Sequence, residues 1–600
     1  MGSLLAIVGP EPAERRQARL EAMAARSPYR GALRTLHLPR LSIGIQARGD
    51  ECTLHQEQHL TVACHGRVYD PSEPATPAAM AASAERVARA WIDEDTRCLT
   101  RLDGEFSLLI HDRRNGTIRA CVSLSMTRFL YWTRQRDLLV LASEVRQVAV
   151  GAGIPQRLDL EQVAQSICVF GPAFDLERTE YVGINRLTAP TLYECRVHQG
   201  LHRGDVYWTP PATERLIDGQ AAELPAELLG VLAAGIDRLP PYTGFSLSGG
   251  YDSGTLWITA NRPEAARRND IRAHSLITPD SAADETTVIK KLLDQTGTTA
   301  TLIDMRGVKA SDVADAHARF VDRLPAVPTL HALDIAGEHL QSDGVTQAVT
   351  GVGAEASASA GPHYAIDLFR SGHWVTLIKD ALRFRSYTNP PPTRYGRALN
   401  FLKLTAFPPG SPLQRVRRTM TSAPDWLAPR WHDLWRSAVS AREALDVRQG
   451  FARSRVMQFL RLTSIVGGWE RVEQLNERYG IESFAPFLHR AVVDFALRTP
   501  ARAINGGQHP KHLLRCAARQ ALGTDPPWPY QKVLPTAVFE HDVDLVLALG
   551  PTDTWSLVQH ELVTRTYAGK MLREARQDGL VTLQAAVCAA AERHLRYAGR

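Results

Sequence analysis

Residues 246–256 read SLSGGYDSGTL and begin within a short apolar run, TGFSLS, that predicts a β-strand. A strand that ends in Ser-Gly-Gly lets the backbone turn sharply and expose successive N–H groups, which form an anion-binding nest. The following residues, SGTLWITANR, predict a helix whose N-terminus favours the same negative charge. Ser248 and Ser253 add hydroxyl groups, and Asp252 can hold a cation that bridges phosphate oxygens. The P-loop pattern requires a lysine after GxxxxG and does not fit, but the stretch still predicts a phosphate-binding turn.

Predicted helices and strands alternate on both sides of this turn. ELLGVLAAGIDRL before it predicts a helix, and IRAHSLI, DETTVIKKLLDQTG and TATLIDM after it predict strand, helix and strand. LHALDIAGEHLQSDG and TQAVTG repeat the alternation, which is typical of a parallel, doubly wound sheet. Ligands of such sheets bind beyond the carboxyl ends of the strands, where the glycines at 249–250 and 351–353 fall. From about Asp367 onward the chain is predicted to be mainly helical, with an Arg- and Pro-rich stretch at 383–418.

The first ~200 residues follow a different pattern, with β-branched or aromatic runs separated by turn signals. Asn115-Gly116 predicts a tight hairpin, since both residues accept positive φ angles. Residues 78–93 are predicted to form a helix, and the Pro-rich segment 207–224 is predicted to be a linker between domains. The sequence therefore predicts a sandwich of sheets followed by an α/β domain.

Composition limits the possible functions. The chain has 600 residues, which is too long for one core, and its formal net charge of +6 favours an anionic ligand but is too weak to indicate nucleic-acid binding. The eight cysteines include no CxxC pair, so a zinc site or a disulfide framework is not expected. No apolar run approaches the ~18 residues of a membrane span. We expect a soluble, cytoplasmic protein.

The opening stretch resembles the pyrophosphatase-type loop, SGGxDS, of ATP-dependent amide-forming enzymes related to asparagine synthetase B. Further collinear matches extend the resemblance over nearly the whole chain. They are HGRVYD (65–70) to NGEIYN, LDGEFSLLIHD (102–112) to LDGMFAFALYD, TGVGAEA (350–356) to SGEGSDE, GGQHPKHLLR (506–515) to a stretch ending in KHILR, and PYQKVLPTAV (529–538) to RQKEQFSDG.

This resemblance implies the fold of both parts. Residues 1–208 would form an α+β, Ntn-hydrolase-like sandwich similar to class II glutamine amidotransferases. Residues 209–600 would form an α/β synthetase domain of the adenine-nucleotide alpha-hydrolase-like (PP-loop) type, with a helical C-terminal part. ATP and Mg²⁺ are the implied cofactors.

The resemblance also implies roles for particular residues. Asp252 and Glu355 would hold Mg²⁺, and the longer Glu355 replaces a family aspartate. Leu276 would contact adenine through its backbone, and Gly351 would line the AMP pocket. The residues implied to bind pyrophosphate are Ser248, Gly249, Gly250 and Ser253.

Two lysines are implied to be catalytic. Lys532 would neutralise charge on an acyl adenylate or stabilise the oxyanion of aminolysis. Lys511 is a second candidate, and a salt bridge at a helix start is an equally open interpretation. His489 and Glu482 are interpreted as structural residues.

The departures from the family pattern indicate which amine is used. Family members that hydrolyse glutamine have a cysteine directly after the initiator methionine, whereas this chain has Gly2, and Asp70 replaces the asparagine that ends NGEIYN. Glycine has no nucleophile, and Cys52 and Cys64 are interpreted as buried apolar residues rather than substitutes. The front domain is therefore not expected to release ammonia, and the substrate must carry its own amine.

Val352 favours a peptide amine. β-Lactam synthetases place a tyrosine here, as part of an acid/base pair that deprotonates the attacking amine, and asparagine synthetase has glutamate. A peptide α-amine has a pKa near ~8 and is partly free at neutral pH, so it needs less help from a base.

We therefore expect a lasso-peptide macrolactam synthetase, which joins a peptide's N-terminal amine to an Asp or Glu side chain after ATP-dependent adenylation. Its expected partners are the linear core peptide, a leader peptidase and a leader-binding protein. Two alternatives remain open: an ATP-dependent amide or β-lactam-type synthetase acting on a small metabolite, and a non-catalytic scaffold of a peptide-maturation complex.

Overall fold

The computed structural model describes most of the chain. The described residues are 2–27, 31–73, 82–167, 175–196, 200–214, 220–265, 271–279, 284–306, 330–361, 364–384, 393, 426–437, 456–457, 460, 463–529, 551–574, 587–588, 591–592 and 595.

The described strands fall in two parts of the chain, a front part that ends at residue 206 and a back part that begins at residue 243. The strands are β1 (Ser3–Val8), β2 (Ala32–Leu38), β3 (Leu41–Ala47), β4 (Cys52–Glu57), β5 (Leu60–Tyr69), β6 (Asp103–Asp112), β7 (Thr117–Val122), β8 (Tyr131–Gln135), β9 (Leu138–Ala142), β10 (Asn185–Arg186), β11 (Thr191–Arg196), β12 (His202–Val206), β13 (Thr243–Ser246), β14 (Ile271–Ile277), β15 (Ala300–Asp304), β16 (Gln347–Val349) and β17 (Glu482–Phe484).

Helices predominate in the second half of the chain. The α-helices are α1 (Ala13–Ala24), α2 (Ser83–Glu94), α3 (Val145–Ala152), α4 (Leu160–Ser166), α5 (Leu224–Ile236), α6 (Tyr251–Ala260), α7 (Thr286–Thr296), α8 (Leu330–Ser342), α9 (Ala354–Ser357), α10 (Tyr364–Arg370), α11 (Trp374–Arg383), α12 (Thr463–Arg478), α13 (Arg490–Arg498), α14 (Ala501–Asn505), α15 (His512–Leu522), α16 (Ser556–Gln559) and α17 (Arg565–Glu574).

The front part contains two six-stranded antiparallel sheets. Their strand orders are β10-β8-β9-β1-β3-β2 and β12-β11-β7-β6-β5-β4. The predicted hairpin joins β6 and β7, and Gly116 in its turn has φ of 67°. Strand β1 was not predicted from the sequence, and it pairs with both β3 and β9 inside the first sheet. All six residues of β1 are buried, so it lacks the alternation of apolar and polar residues by which strands are recognised.

The back part contains one five-stranded sheet with the order β15-β14-β13-β16-β17. Every neighbouring pair is parallel, as the alternating helices and strands predicted. β13 has β14 on one side and β16 on the other, so the strand order reverses at β13. Doubly wound sheets bind ligands at such a reversal, beyond the carboxyl ends of the strands. The glycine loop at 249–250 follows β13, and the one at 351–353 follows β16.

The segment predicted to be a linker starts as a packed stretch. Trp208 is buried, and its indole Nε1 donates to Asp494 Oδ1 over 2.9 Å. The hydroxyl of Thr213 donates to the carbonyl of Leu497 over 3.1 Å. These contacts tie the segment to α13 of the back part.

Two further predictions concern the helical C-terminal part of the chain and membrane-spanning segments. Helices α12 to α17 agree with the predicted helical C-terminal part, whereas most of the Arg- and Pro-rich stretch 383–418 lies outside the described residues. Among the residues that the structure describes, no helix is long and apolar enough to cross a membrane.

Candidate active site

The loop after β13 is held by hydrogen bonds among its own serines. Ser248 N donates to Ser253 Oγ over 3.0 Å, and the two hydroxyl oxygens are also 3.0 Å apart. Gly250 N donates to Ser248 Oγ over 3.2 Å, and Gly250 is the N-cap of α6. The four residues predicted to bind pyrophosphate therefore form one turn at the start of a helix. Their N–H groups gather at its positive end, which suits a phosphate group.

The second glycine loop approaches the first one closely. A Cβ atom on Gly351 would lie 2.9 Å from Asp252 Cβ and 2.9 Å from Ser253 N, so a glycine is required at this contact. Gly353 has φ of 97° and is the N-cap of the short helix α9, which carries Glu355 in its first turn. The loop thus brings Glu355 to the end of α6 that carries Asp252.

Lys511 joins these two carboxylates. Its ammonium Nζ contacts both carboxylate oxygens of Asp252 and lies 3.4 Å from Glu355 Oε1. The Lys511 side chain is only 9% exposed, whereas that of Glu355 is 52% exposed. The structure places an ion pair here, at the start of α15, and the catalytic role of Lys511 stays a prediction. The ion pair lies inside the predicted site.

The residues present also fit a divalent cation. One ammonium contacts both Asp252 and Glu355, so a single cation can reach both side chains, and the longer arm of Glu355 is not an obstacle. Carboxylate oxygens are the ligands that Mg²⁺ prefers. The described residues contain no group of three or more His, Cys, Asp or Glu side chains that could hold a metal ion without further ligands.

The two remaining predicted site residues are Leu276 and Lys532. Leu276 lies in β14, beside β13 and two positions beyond the residue that pairs with the end of β13, and it is 38% exposed. Lys532 lies outside the described residues. The described segment that precedes Lys532 ends at Pro529. The carbonyl oxygen of Pro529 accepts a 2.8 Å hydrogen bond from the hydroxyl of Tyr251, at the start of α6.

Glu285 was not among the residues predicted from the sequence to lie at this site. This residue is the N-cap of α7, and its Oε2 accepts a hydrogen bond from Gly249 N over 3.0 Å. A carboxylate therefore occupies one N–H group of the predicted phosphate loop. The position of Glu285 in the first turn of a predicted helix was the available signal, and an acidic residue there favours interaction with the helix dipole as much as a site role.

The front part has no space for a nucleophile at position 2. A Cβ atom on Gly2 would lie 2.5 Å from Cys52 Cβ and 3.0 Å from the carbonyl oxygen of Gln46. Cys52 and Cys64 are both fully buried, and burial raises the pKa of the Cys64 thiol well above its usual value. The geometry agrees with their interpretation as packed apolar residues. Asp70 is also buried, and it forms an ion pair with Arg101.

A buried group of charges joins the front and back parts. Arg128 of the front part lies 2.6 Å from Glu473 Oε2 and farther from Glu105 (3.6 Å) and Glu482 (3.9 Å). Burial raises the pKa of Glu473 to about 7, and the nearby carboxylates of Glu105 and Glu482 add to the rise, whereas Arg128 opposes it. Burial acts in the same direction on Glu482, but Arg67 at 3.0 Å, followed by Arg128, holds the pKa of Glu482 below its usual value.

His489 and Glu482 are placed within this interface rather than at the loop. His489 Nδ1 is 2.9 Å from the hydroxyl oxygen of Tyr69, and its Nε2 is 3.3 Å from Glu105 Oε1. Both His489 and Glu482 are buried. Their contacts agree with the structural role that the sequence analysis assigned to them.

Comparison with known proteins supports the chemistry of the back part. Residues 241–526 match the asparagine synthase family. The matched region includes both glycine loops, α6 and Lys511. It identifies the chain as an ATP-dependent ligase that forms a carbon–nitrogen bond, and the family uses ATP. No curated protein matches the sequence.

Two solved structures are similar to parts of the chain. One is titled as the structure of the allosteric regulatory enzyme of purine biosynthesis, with 13% identity, a TM-score of 0.25, and coverage of 50% of this chain and 80% of that chain. The other is glutamine phosphoribosylpyrophosphate amidotransferase from B. subtilis in complex with ADP and GMP, with 13% identity, a TM-score of 0.23 and the same coverage. At these TM-scores neither likeness supports a conclusion about this chain.

Proposed function

We propose that this chain is a lasso-peptide macrolactam synthetase. The observation that carries the proposal is the contrast between its two parts. In the back part the serine- and glycine-rich loop after β13 lies at a cluster of Asp252, Glu355 and Lys511, whereas position 2 of the front part cannot accept even a Cβ atom without a clash. A ligase without a glutaminase nucleophile at that position takes an amine that the substrate already carries.

The proposed reaction has two steps. In the first, an oxygen of an Asp or Glu side-chain carboxylate in the core peptide attacks the α-phosphorus of ATP, the bond to the β-phosphate breaks, and pyrophosphate leaves. In the second, the peptide's N-terminal nitrogen attacks the acyl carbon, AMP leaves, and the nitrogen loses a proton. The products are the macrolactam, AMP and pyrophosphate. Such a reaction depends mainly on positioning and charge neutralisation.

The proposed roles follow the geometry of the site. Ser248, Gly249, Gly250 and Ser253 bind the departing pyrophosphate at the N-terminus of α6. Asp252 and Glu355 hold Mg²⁺, which would neutralise phosphate charge when bound. Lys511, which contacts both carboxylates, would neutralise phosphate charge beside them.

Three further assignments complete the proposal. Gly351 lines the AMP pocket, and the Leu276 backbone contacts adenine. Lys532 stabilises the charge that develops during aminolysis. A leader peptidase and a leader-binding protein supply the linear core peptide, and these proteins act with the synthetase in the cytoplasm.

The test separates adenylation from ring closure. Exchange between ATP and labelled pyrophosphate is measured with a linear peptide that has a free N-terminus and one internal Asp or Glu. The same peptide with an acetylated N-terminus should support exchange without ring closure, because adenylation does not need the amine. A peptide with Asn or Gln at the acceptor position should support neither step.

The two alternatives give different results in the same assay. Exchange with small carboxylic acids but not with any peptide would replace the proposal with a small-metabolite synthetase. The absence of exchange with every acid and peptide would favour a non-catalytic scaffold. Asp252→Asn is the matched control, since it keeps the side-chain shape but removes the charge of the proposed metal ligand.

A further inference from the structure

Three N–H groups of the predicted phosphate loop (residues 248–253), those of Ser248, Gly249 and Gly250, donate to acceptors inside the protein. Ser248 N donates to Ser253 Oγ, and Gly250 N donates to Ser248 Oγ, so serine side chains of the loop itself accept both hydrogen bonds. Gly249 N is different, because its acceptor is the Glu285 carboxylate, 36 positions along the chain and on another element. An anionic group from the next helix therefore occupies the centre of an anion-binding turn.

The contact between Gly249 and Glu285 depends on close approach. A Cβ atom on Gly249 would lie 2.7 Å from Glu285 Cβ, so a side chain larger than hydrogen would displace the carboxylate. Glu285 forms no side-chain hydrogen bond to its own helix, although it is the N-cap of α7. Asp284 takes that place, since its Oδ1 accepts from Thr286 N over 3.1 Å. Glu285 is thus available for the loop.

A phosphate oxygen and the Glu285 carboxylate cannot share this N–H group. Both are negatively charged, and two like charges at hydrogen-bond distance repel each other strongly. The pyrophosphate portion of ATP must therefore displace Glu285 before it can bind Gly249 N. Glu285 is only partly buried, so its side chain has solvent into which it can turn.

We propose that Glu285 is a positioning residue that competes with the pyrophosphate group for Gly249 N. It holds the loop in its binding shape when the site is empty, and its return helps to expel pyrophosphate after adenylation. Because the competition acts on any ligand of this N–H group, it weakens ATP and pyrophosphate binding by the same factor. The inference rests on the use of ATP at this loop and not on the identity of the acid or the amine.

Glu285→Gln tests the proposal because it keeps the shape of the side chain and its acceptor oxygen but removes the charge. Hydrogen bonds to charged groups are stronger than neutral ones, so the variant should bind Mg²⁺-pyrophosphate and Mg²⁺-α,β-methylene-ATP about three- to tenfold more tightly. Isothermal titration of the full-length chain measures both affinities without any peptide. A purely structural role for Glu285 predicts equal or weaker binding.

Asp284→Asn is the matched control, since it removes the same charge from the neighbouring residue that caps α7. Equal tightening in both variants would overturn the proposal in favour of a general effect of charge. Unchanged or weaker binding in Glu285→Gln would also overturn it. If that variant does not fold, a structure of the wild-type chain with Mg²⁺-pyrophosphate decides: the proposal predicts that Glu285 leaves Gly249 N, and a retained hydrogen bond contradicts it.

Discussion

Gly2→Ala tests the claim that position 2 is a packing site and not a vacated catalytic position. The added Cβ atom would lie 2.5 Å from Cys52 Cβ, well inside the ~3.5–4.0 Å at which carbon atoms pack. Cys52 Cβ is bonded directly to the backbone of β4, so a rotamer change cannot relieve this clash. Forced overpacking of this kind costs about 1–3 kcal/mol of the free energy of unfolding.

A double-mutant cycle isolates the clash. Cys52→Gly alone should cost about 2 kcal/mol, because it removes a fully buried side chain and adds backbone freedom in a strand. In that background the added methyl meets mainly the carbonyl of Gln46 at 3.0 Å, so Gly2→Ala should cost much less. We therefore expect a coupling of about 1–2 kcal/mol between the two substitutions.

Urea unfolding of the full-length variants, followed by far-ultraviolet circular dichroism and limited proteolysis, measures these effects as shifts of the midpoint. Gly2→Cys is expected to release no ammonia from glutamine, since the same clash prevents a nucleophile from fitting there. A Gly2→Ala variant with the wild-type midpoint, additive effects in the cycle, or glutamine hydrolysis by Gly2→Cys would each refute the reasoning.

Four further predictions concern the site and the packing around it. Asp252→Ala and Lys532→Ala should each lower ring closure at least about 10²-fold while leaving the circular dichroism spectrum unchanged, and a fully active Lys532→Ala would remove that residue from the mechanism. Glu473 has a folded pKa of about 7, above its ordinary value of 4.5, so its contribution to stability is present below pH 4.5 and is lost as the pH rises through 7. This loss is at most about 3 kcal/mol of the free energy of unfolding. Glu473→Gln should flatten the loss, whereas the exposed control Glu21→Gln should not. Gly254→Ala should lower the unfolding midpoint because its Cβ would lie 2.6 Å from the buried ring of Trp528, whereas Gly230→Ala, with open space around it in α5, should stabilise by about 0.5–1 kcal/mol. Arg128→Met should destabilise by about 3–5 kcal/mol because it leaves buried carboxylates without their shared cation, and the exposed Arg15→Met should leave the midpoint unchanged.

The sequence predicted the features that depend on local chemistry. The sharp turn after β13 was recognisable because Ser-Gly-Gly after a strand determines a backbone shape, and the parallel sheet was recognisable because helices and strands alternate. β1 was missed because a fully buried strand has no alternating pattern.

Contacts between distant residues could not be predicted from spacing. Lys511 and Asp252 are 259 positions apart, and Arg128 and Glu473 are 345 positions apart, so only the tertiary fold brings them together. Glu285 looked like an ordinary helix start, since nothing in its neighbourhood indicates that it reaches Gly249. The role of Lys532 stays a prediction that rests on resemblance.

In the proposed reaction, ATP is cleaved between its α and β phosphates to join an amine and a carboxylate of one peptide. The most direct measurement incubates the full-length chain with ATP, Mg²⁺ and a linear peptide that has a free N-terminus and an internal Asp or Glu, without glutamine or ammonia. We expect equal amounts of AMP, pyrophosphate and a peptide that has lost the mass of one water. Formation of ADP and phosphate, or a requirement for added ammonia, would contradict it.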